Sequence, residues 1–138
     1  MNKQDKELLL KDLCARLPYG VKMNVIRSNV TEVAININPF NEEIWLNDAG
    51  AYVDIDEIKP YLRPMSSMTG EEMFEIEMMN NHSIQHIDTV GVRFKAFYDT
   101  AYNEMYDLFD WLNKHHFDYR GLIQMGLAIE APEGMYNF

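Results

Sequence analysis

The stretch from residue 101 to residue 126 carries the most regular apolar pattern in the chain, and it constrains the fold more than any other segment. Its apolar positions recur at spacings of four, three and four residues, which is typical of a 3.6-residue helix with one stripe against a core. Those positions are Ala101, Met105, Leu108 and Leu112. We therefore predict a helix, a corner at residues 117–118, and a second short helix that ends at Gly126.

Leucines at helical spacing predict a second amphipathic helix over residues 3–16. On this helix we expect Leu9 and Leu13 to face the core, and Asp12 and Arg16 to face solvent. Further along the chain, Thr69 and Glu72 have the spacing of a capping box. This pair predicts the start of another helix, which should end near residues 80–81.

Alternating polar and apolar residues predict strands at residues 21–25, 33–37, 43–46, 52–55 and 90–96, the first two forming a hairpin. Residues 56–68 contain two prolines and no sustained period, so we predict an ordered crossing loop there. Together these patterns predict a single α+β domain over residues 1–138. Its antiparallel sheet should have four or five strands, with helices mainly on one side.

Length and composition exclude several classes of protein. A chain of 138 residues suits one domain with a core of its own. No apolar run approaches the roughly 18 residues that a membrane helix needs, so we expect neither a membrane partner nor a signal peptide. The single Cys14 cannot form an intramolecular disulfide, which agrees with a cytoplasmic location, and we expect it to be a small buried apolar residue.

The net charge of −10 disfavours nucleic acid as a partner, because the protein repels phosphate backbones. The charge is also uneven. Residues 1–41 hold six bases and four acids, whereas residues 42–110 hold four bases and fifteen acids. The acidic middle is interpreted first as a solvated surface that keeps the protein soluble, and second as a patch that recruits a basic partner.

The histidines are the main candidates for chemistry. His82 and His86 have the spacing of a metal pair on a helix, but their neighbours are typical of a loop, so we expect exposed loop histidines and no metal or other cofactor. His115 and His116 lie at a predicted helix end, where a protonated imidazole is stabilised by the helix dipole. One of the two can be buried while the other meets solvent. The sequence contains no nucleophile elbow, phosphate-binding loop or dinucleotide fingerprint.

A set of aromatic and charged residues around the predicted corner forms our candidate binding site. We expect Arg120 to hold the proline-rich crossing loop through its carbonyl groups or through Asp118. The aromatic residues to check for exposure, as protein-binding residues, are Trp45 and Trp111. The candidate binding residues are Tyr61, Arg63, Trp111, His115, His116, Asp118 and Arg120.

Three blocks of sequence, DLCARLPYGVK at residues 12–22, IKPYLRPMSSMT at residues 58–69 and DWLNKHHFDYRGLIQMGLAIEAPEGMY at residues 110–136, carry a resemblance. They resemble a family of small uncharacterised proteins of Bacteroides-type gut bacteria and their phages or mobile elements. The resemblance implies a cytoplasmic, phage or mobile-element context, and it implies no catalytic residue.

The functional hypothesis is a non-catalytic interaction or accessory protein that binds another protein. The alternative is a small metal-dependent or histidine-based enzyme. The sequence does not indicate an oligomeric state.

Overall fold

A computed structural model describes residues 1–79, 86–88, 91–93 and 102–137 of the protein. The chain forms two compact units. The sheet unit comprises residues 1–62 and 120–137, and the helical unit comprises the described parts of residues 63–119. The predicted α+β class is confirmed. The single domain over residues 1–138, and the placement of the helices on one side of the sheet, stay predictions.

The sheet unit begins with helix α1, Lys3–Arg16. The side-chain oxygen of Asn2 caps this helix by accepting a 2.7 Å hydrogen bond from the Asp5 backbone N–H. After a short 3-10 turn, Gly20 adopts a φ of +69°, a left-handed conformation that glycine tolerates without steric cost. Cys14, which we predicted to be buried, is exposed on α1.

The sheet unit contains a six-stranded sheet in the order β4-β3-β2-β1-β5-β8. All its neighbours are antiparallel except β5 and β8, which are parallel. The sheet therefore has six strands of mixed direction, not the predicted four or five antiparallel strands. The strands of the described chain are β1 Lys22–Val25, β2 Val30–Asn38, β3 Glu43–Leu46, β4 Ala51–Asp54, β5 Ile58–Leu62, β6 His86–Asp88, β7 Gly91–Arg93 and β8 Ile129–Glu130.

Strand β5 lies in the segment that we predicted to be a loop, and that prediction is wrong. Ile58, Pro60 and Leu62 are buried and alternate with half-buried residues, which is the period of a strand despite the proline. Strand β8 pairs with Tyr61 and Leu62 but not with Pro60. The pairing of β5 with β8 therefore does not need the N–H that proline lacks. The C-terminal tail supplies β8 and so extends the sheet beyond β5.

Two further predictions about local structure are wrong. The described part of the predicted strand at residues 90–96, β7, pairs with β6 in a separate two-stranded sheet instead of joining the large one. The predicted second helix after the corner is a series of turns. Gly121 and Gly126 both have a φ of +76° there, outside the helical region, and they flank the fully buried Leu122.

Apolar side chains from α1 and from one face of the sheet form the core of the sheet unit. Val53 and Leu17 pack at its margin. Inward residues alternate with outward ones along β3 and β5, so the opposite sheet face carries Glu43, Trp45, Lys59 and Tyr61. Along β2 the alternation breaks at an irregularity between Ala34 and Asn36. The fully or nearly fully buried members are Leu9, Leu13, Val21, Met23, Ala34, Ile44, Leu46, Ile55, Ile58, Leu62 and Leu122.

The helical unit contains helices α2, Gly70–Met79, and α3, Tyr102–Lys114. The predicted capping box before α2 is confirmed. The Glu72 N–H donates to Thr69 Oγ1 at 3.2 Å, and the Thr69 N–H donates to Glu72 Oε1 at 3.0 Å. The predicted end of α2 near residues 80–81 lies outside the described residues, as does Ala101. The buried cluster of this unit is Met65, Met68, Ile76, Leu108, Trp111, Leu112 and Phe117.

Within the part of the chain that the structure describes, no helix is both long enough and apolar enough to cross a membrane.

Candidate functional site

Helix α3 ends in a Schellman motif, which shapes the candidate site in the helical unit. The Phe117 N–H donates to the Leu112 carbonyl at 3.0 Å, and the His116 N–H donates to the Asn113 carbonyl at 3.1 Å. His116 occupies the left-handed position with a φ of +59°, where glycine is the usual residue. Both histidines are buried, although the helix geometry would permit one of them to meet solvent.

His115 is held by Trp111, one helical turn before it. The two rings stack at a centroid distance of 3.9 Å, and His115 Nδ1 lies 2.9 Å from the Trp111 carbonyl oxygen. A carbonyl oxygen only accepts hydrogen bonds, so Nδ1 carries the hydrogen and donates it. Trp111 itself is buried, so it does not offer an exposed surface to a partner protein. The contacts of His115 are therefore explained by packing at the helix end.

Backbone pairing joins Arg63, the residue after β5, to the corner after α3. The Arg63 N–H donates to the His116 carbonyl at 2.7 Å, and the Asp118 N–H donates to the Arg63 carbonyl at 2.8 Å. These two bonds form a parallel bridge between Arg63 and Phe117. We predicted that the Arg120 side chain holds the proline-rich segment in place. Within the helical unit, hydrogen bonds of the Arg63 main chain join this segment to the corner.

The Arg63 side chain links three parts of the helical unit. Its guanidinium forms a bidentate pair with the Glu72 carboxylate, at 2.7 and 2.8 Å, and lies 4.1 Å above the Phe117 ring. Burial raises the pKa of the Glu72 carboxyl. Hydrogen bonds from Arg63 and from the Thr69 backbone outweigh that effect and hold the pKa of Glu72 below its ordinary value. We define Arg63, Glu72, Trp111 and residues 115–118 as the helix-end corner.

Replacing Glu72 by glutamine should destabilise the helical unit in a pH-dependent way. The charged pair stabilises the fold fully above the pKa of an unfolded glutamate, about 4.3, and this contribution is lost as the pH falls through the lower folded-state pKa. The difference in unfolding free energy between wild type and Glu72→Gln should therefore be largest above about pH 5 and should shrink below it. Urea denaturation across this range measures it, with the exposed Glu75→Gln as control. A difference that does not change with pH would contradict the assignment.

A buried ion pair on α1 anchors the sheet unit, and the prediction that its members face solvent is wrong. Arg16 Nε donates to Asp12 Oδ2 at 2.8 Å, and both side chains have no solvent exposure. Arg120 Nη1 donates to Asp12 Oδ1 at 3.2 Å. One carboxylate therefore accepts from two guanidinium groups, one on its own helix and one from the segment after the corner.

Tyr61, another candidate binding residue, lies in a hydrogen-bond network that fixes the C-terminal tail of the sheet unit. Tyr136 donates from its hydroxyl to the Tyr61 carbonyl at 2.8 Å and accepts from the Lys22 N–H at 2.9 Å. Burial raises the pKa of the Tyr136 phenol, so the hydroxyl stays protonated at neutral pH. The Tyr61 hydroxyl accepts from the Asn24 amide at 3.3 Å.

The candidate residues therefore fall into both units. Trp111, His115, His116, Asp118 and Arg63 belong to the helix-end corner, and Tyr61 and Arg120 belong to the sheet unit. His82, a candidate metal ligand, lies outside the described residues. His86 is on strand β6, so the prediction of a loop at this histidine is wrong. Among the residues that are described, no three His, Cys, Asp or Glu side chains are grouped so that they could hold a metal ion.

Sequence reasoning missed the pairing of Asp12 with Arg16, and it predicted the capping role of Glu72 but missed its pairing with Arg63. The signal for the first two is their position: Asp12 and Arg16 share a helical face with Leu9 and Leu13, at spacings of three and four residues. A charged pair that falls inside an apolar stripe indicates a buried ion pair.

Large apolar side chains are exposed on the β2–β3–β4 part of the sheet. The Phe40 side chain, in the turn between β2 and β3, is 96% exposed, and Ile35 and Tyr52 are 51% and 42% exposed. Trp45, half-buried on β3, lies opposite Tyr52, with the ring centroids 4.9 Å apart. We call these four residues the hairpin surface.

The turn that presents Phe40 is ordered by its own hydrogen bonds. The side-chain oxygen of Asn38 accepts from the backbone N–H groups of Phe40 and Asn41, at 3.1 and 3.3 Å. Glu42 then adopts a φ of +54° before β3 begins. These bonds fix the backbone of the turn that carries the exposed Phe40 side chain.

Comparison with known proteins finds no matching family model, no matching curated protein and no matching solved structure.

Proposed function

We propose that this protein is a cytoplasmic, non-catalytic interaction protein of a phage or mobile element, and that its hairpin surface binds a basic protein partner. The observation that carries the proposal is the exposure of Ile35 on β2, of Phe40 in the turn after it, and of Tyr52 on β4. Soluble proteins expose single apolar side chains commonly, but neighbouring ones together are typical of an interaction site. The resemblance of the three sequence blocks supports the phage or mobile-element context.

These side chains are exposed in the isolated chain because, in this proposal, they are buried only when the partner binds. An aromatic side chain held at a turn loses little conformational entropy on binding and offers a large apolar area. Trp45 and Tyr52 pack edge to face, so they present an ordered surface beside the turn. The hairpin surface thus combines an exposed phenylalanine at the turn with an aromatic pair on β3 and β4.

Charge around the hairpin surface favours a basic partner. Residues 28–58 contain seven acidic residues and no lysine or arginine. Glu32 is buried, and Lys6 pairs with Glu42 and Asp56, so the negative charge that a partner meets is carried by Glu43, Asp48, Asp54 and Glu57. A cationic partner is attracted to such a segment, whereas the phosphate backbone of a nucleic acid is repelled. The partner is therefore a protein with basic residues around an apolar pocket.

The alternative of a histidine-based enzyme gains no specific support from the described geometry. The His115 imidazole is stacked on Trp111 and bonded to a carbonyl, which explains its position without substrate.

Capture of proteins from the lysate of the host bacterium tests the proposal, with the purified protein as bait at low salt. We expect wild type to capture a basic protein and Phe40→Ser/Tyr52→Ser to bind it at least about tenfold more weakly, a change of about 1.4 kcal/mol. Calorimetry with the purified captured protein measures both affinities. Met125→Ser, which removes another exposed apolar side chain of the sheet unit, is the matched control and should bind normally. Capture of no partner, or equal capture by the double variant, would overturn the proposal.

A further inference from the structure

Helix α2 presents a second apolar surface, in the helical unit. The Phe74 and Met78 side chains are 61% and 67% exposed, and they lie four residues apart, one above the other on the helix. At 100° per residue, their mean direction is opposite to that of Ile76, the fully buried residue of this helix. The pair therefore forms a ridge along the solvent side of α2.

Glutamates flank this ridge on both sides. On the same helical projection, Glu77 lies on one side of Phe74 and Met78, and Glu71 and Glu75 lie on the other. All three glutamates are exposed. The fourth glutamate of the helix, Glu72, is paired with Arg63 and does not belong to the surface. Helix α2 contains no lysine, arginine or histidine, so no positive residue of its own balances the three exposed charges.

We propose that this α2 surface, formed by Phe74, Met78, Glu71, Glu75 and Glu77, binds a cationic amphipathic helix of a partner protein. An apolar stripe bordered by lysines or arginines is complementary to an apolar ridge bordered by glutamates. The charge argument selects this occupant over a second copy of the chain, because two copies of α2 would place glutamates against glutamates. The same like-charge repulsion disfavours an anionic membrane surface.

The surface is small, so the interaction is weak and salt-sensitive. One phenylalanine and one methionine supply a fraction of the roughly 800 Å² per partner that stable complexes bury. The exposed glutamates attract the cationic helix through solvent. Salt screens this attraction over a Debye length of about 8–10 Å at ordinary ionic strength. We expect fast, reversible docking with a dissociation constant in the micromolar range or weaker.

The α2 surface is a site beyond the one assigned above, because the hairpin surface belongs to the sheet unit. Substitutions on α2 leave Phe40 and Tyr52 unchanged. The two proposals can therefore fail separately.

The test uses the full chain and a fluorescently labelled peptide of leucine and lysine, about 18 residues long, that forms an amphipathic helix. Fluorescence anisotropy measures its binding at low and at physiological salt. We expect Phe74→Gln/Met78→Gln to weaken binding at least tenfold. Glutamine is as good a helix former as methionine, so α2 should persist, which circular dichroism checks. A peptide of the same composition in scrambled order should bind weakly.

A charge-matched pair of variants separates docking on α2 from general attraction to an acidic protein. Glu75→Gln/Glu77→Gln should weaken binding several-fold and reduce its salt dependence. Glu7→Gln/Glu133→Gln removes the same two charges from exposed positions of the sheet unit and should change affinity less than about twofold. An equal loss of affinity in the two double variants would show non-specific attraction to an acidic protein and would overturn the proposal. Loss of binding in Phe40→Ser/Tyr52→Ser, with normal binding in the α2 variants, would overturn it as well.

Discussion

Replacing Asp12 by alanine should lower the free energy of unfolding by about 3–5 kcal/mol, because it leaves a buried arginine without its carboxylate. The Arg16 side chain has no solvent exposure, and its Nε lies 2.8 Å from Asp12 Oδ2. The substitution also removes an acceptor of Arg120. Urea denaturation followed by circular dichroism measures the change. Glu7→Ala, at an exposed position of the same helix, should change stability by less than about 0.5 kcal/mol.

A double substitution distinguishes loss of the ion pair from loss of packing. Replacing both partners, with Asp12→Leu and Arg16→Met, removes the two buried charges together and should recover much of the stability that Asp12→Ala loses. If Asp12→Ala is as stable as Glu7→Ala, the Arg16 guanidinium must reach solvent in the folded protein. The description of a buried pair would then be wrong.

Replacing Phe117 by alanine should destabilise the helical unit by about 3–5 kcal/mol, the range for large aromatic side chains removed from a core. Phe117 is fully buried, stacks on Trp111 at 5.8 Å between centroids, and lies under the Arg63 guanidinium. Phe117→Leu keeps most of the volume and loses the aromatic face, so we expect an intermediate loss of about 1–2 kcal/mol.

The two tryptophans permit a local measurement of this effect. In a Trp45→Phe background, Trp111 is the remaining tryptophan and reports on the helical unit through its fluorescence. Phe74→Ala removes an exposed phenylalanine from the same unit and should change stability by less than about 0.5–1 kcal/mol. Equal effects of Phe117→Ala and Phe74→Ala would contradict the placement of Phe117 in the core.

Local patterns in the sequence predicted several elements because the stabilising contacts are close in sequence. The capping box of Thr69 and Glu72 depends on residues three apart, and the period that predicts α3 extends over a few turns. Strand β5 was missed because its period is concealed by Pro60, and because its partners β1 and β8 come from distant parts of the chain. Pairing between distant segments produces no pattern that can be recognised in the sequence of either segment alone.

The same distinction applies to the candidate site. The sequence directed attention to residues 110–120, where the structure shows a compact helix-end corner. The bonds that define this corner depend on Arg63, whose backbone partners His116 and Asp118 are more than fifty residues away. We expected Arg120 to hold this part of the chain and named His115 and Arg63 only as candidate binding residues. In the structure, packing against Trp111 holds His115, and Arg63 organises the corner.

The division of the chain into units has a consequence for its biosynthesis. The sheet unit requires residues 120–137 to supply Arg120, β8 and the Tyr136 hydroxyl, although its first 62 residues leave the ribosome much earlier. At roughly 5–20 residues per second, several seconds separate the synthesis of β5 from that of β8. During that interval the nascent sheet exposes the β5 edge that β8 later covers. An uncovered edge strand offers its unpaired N–H and C=O groups to other chains, so the late arrival of the tail leaves the nascent sheet open to edge-to-edge pairing during synthesis.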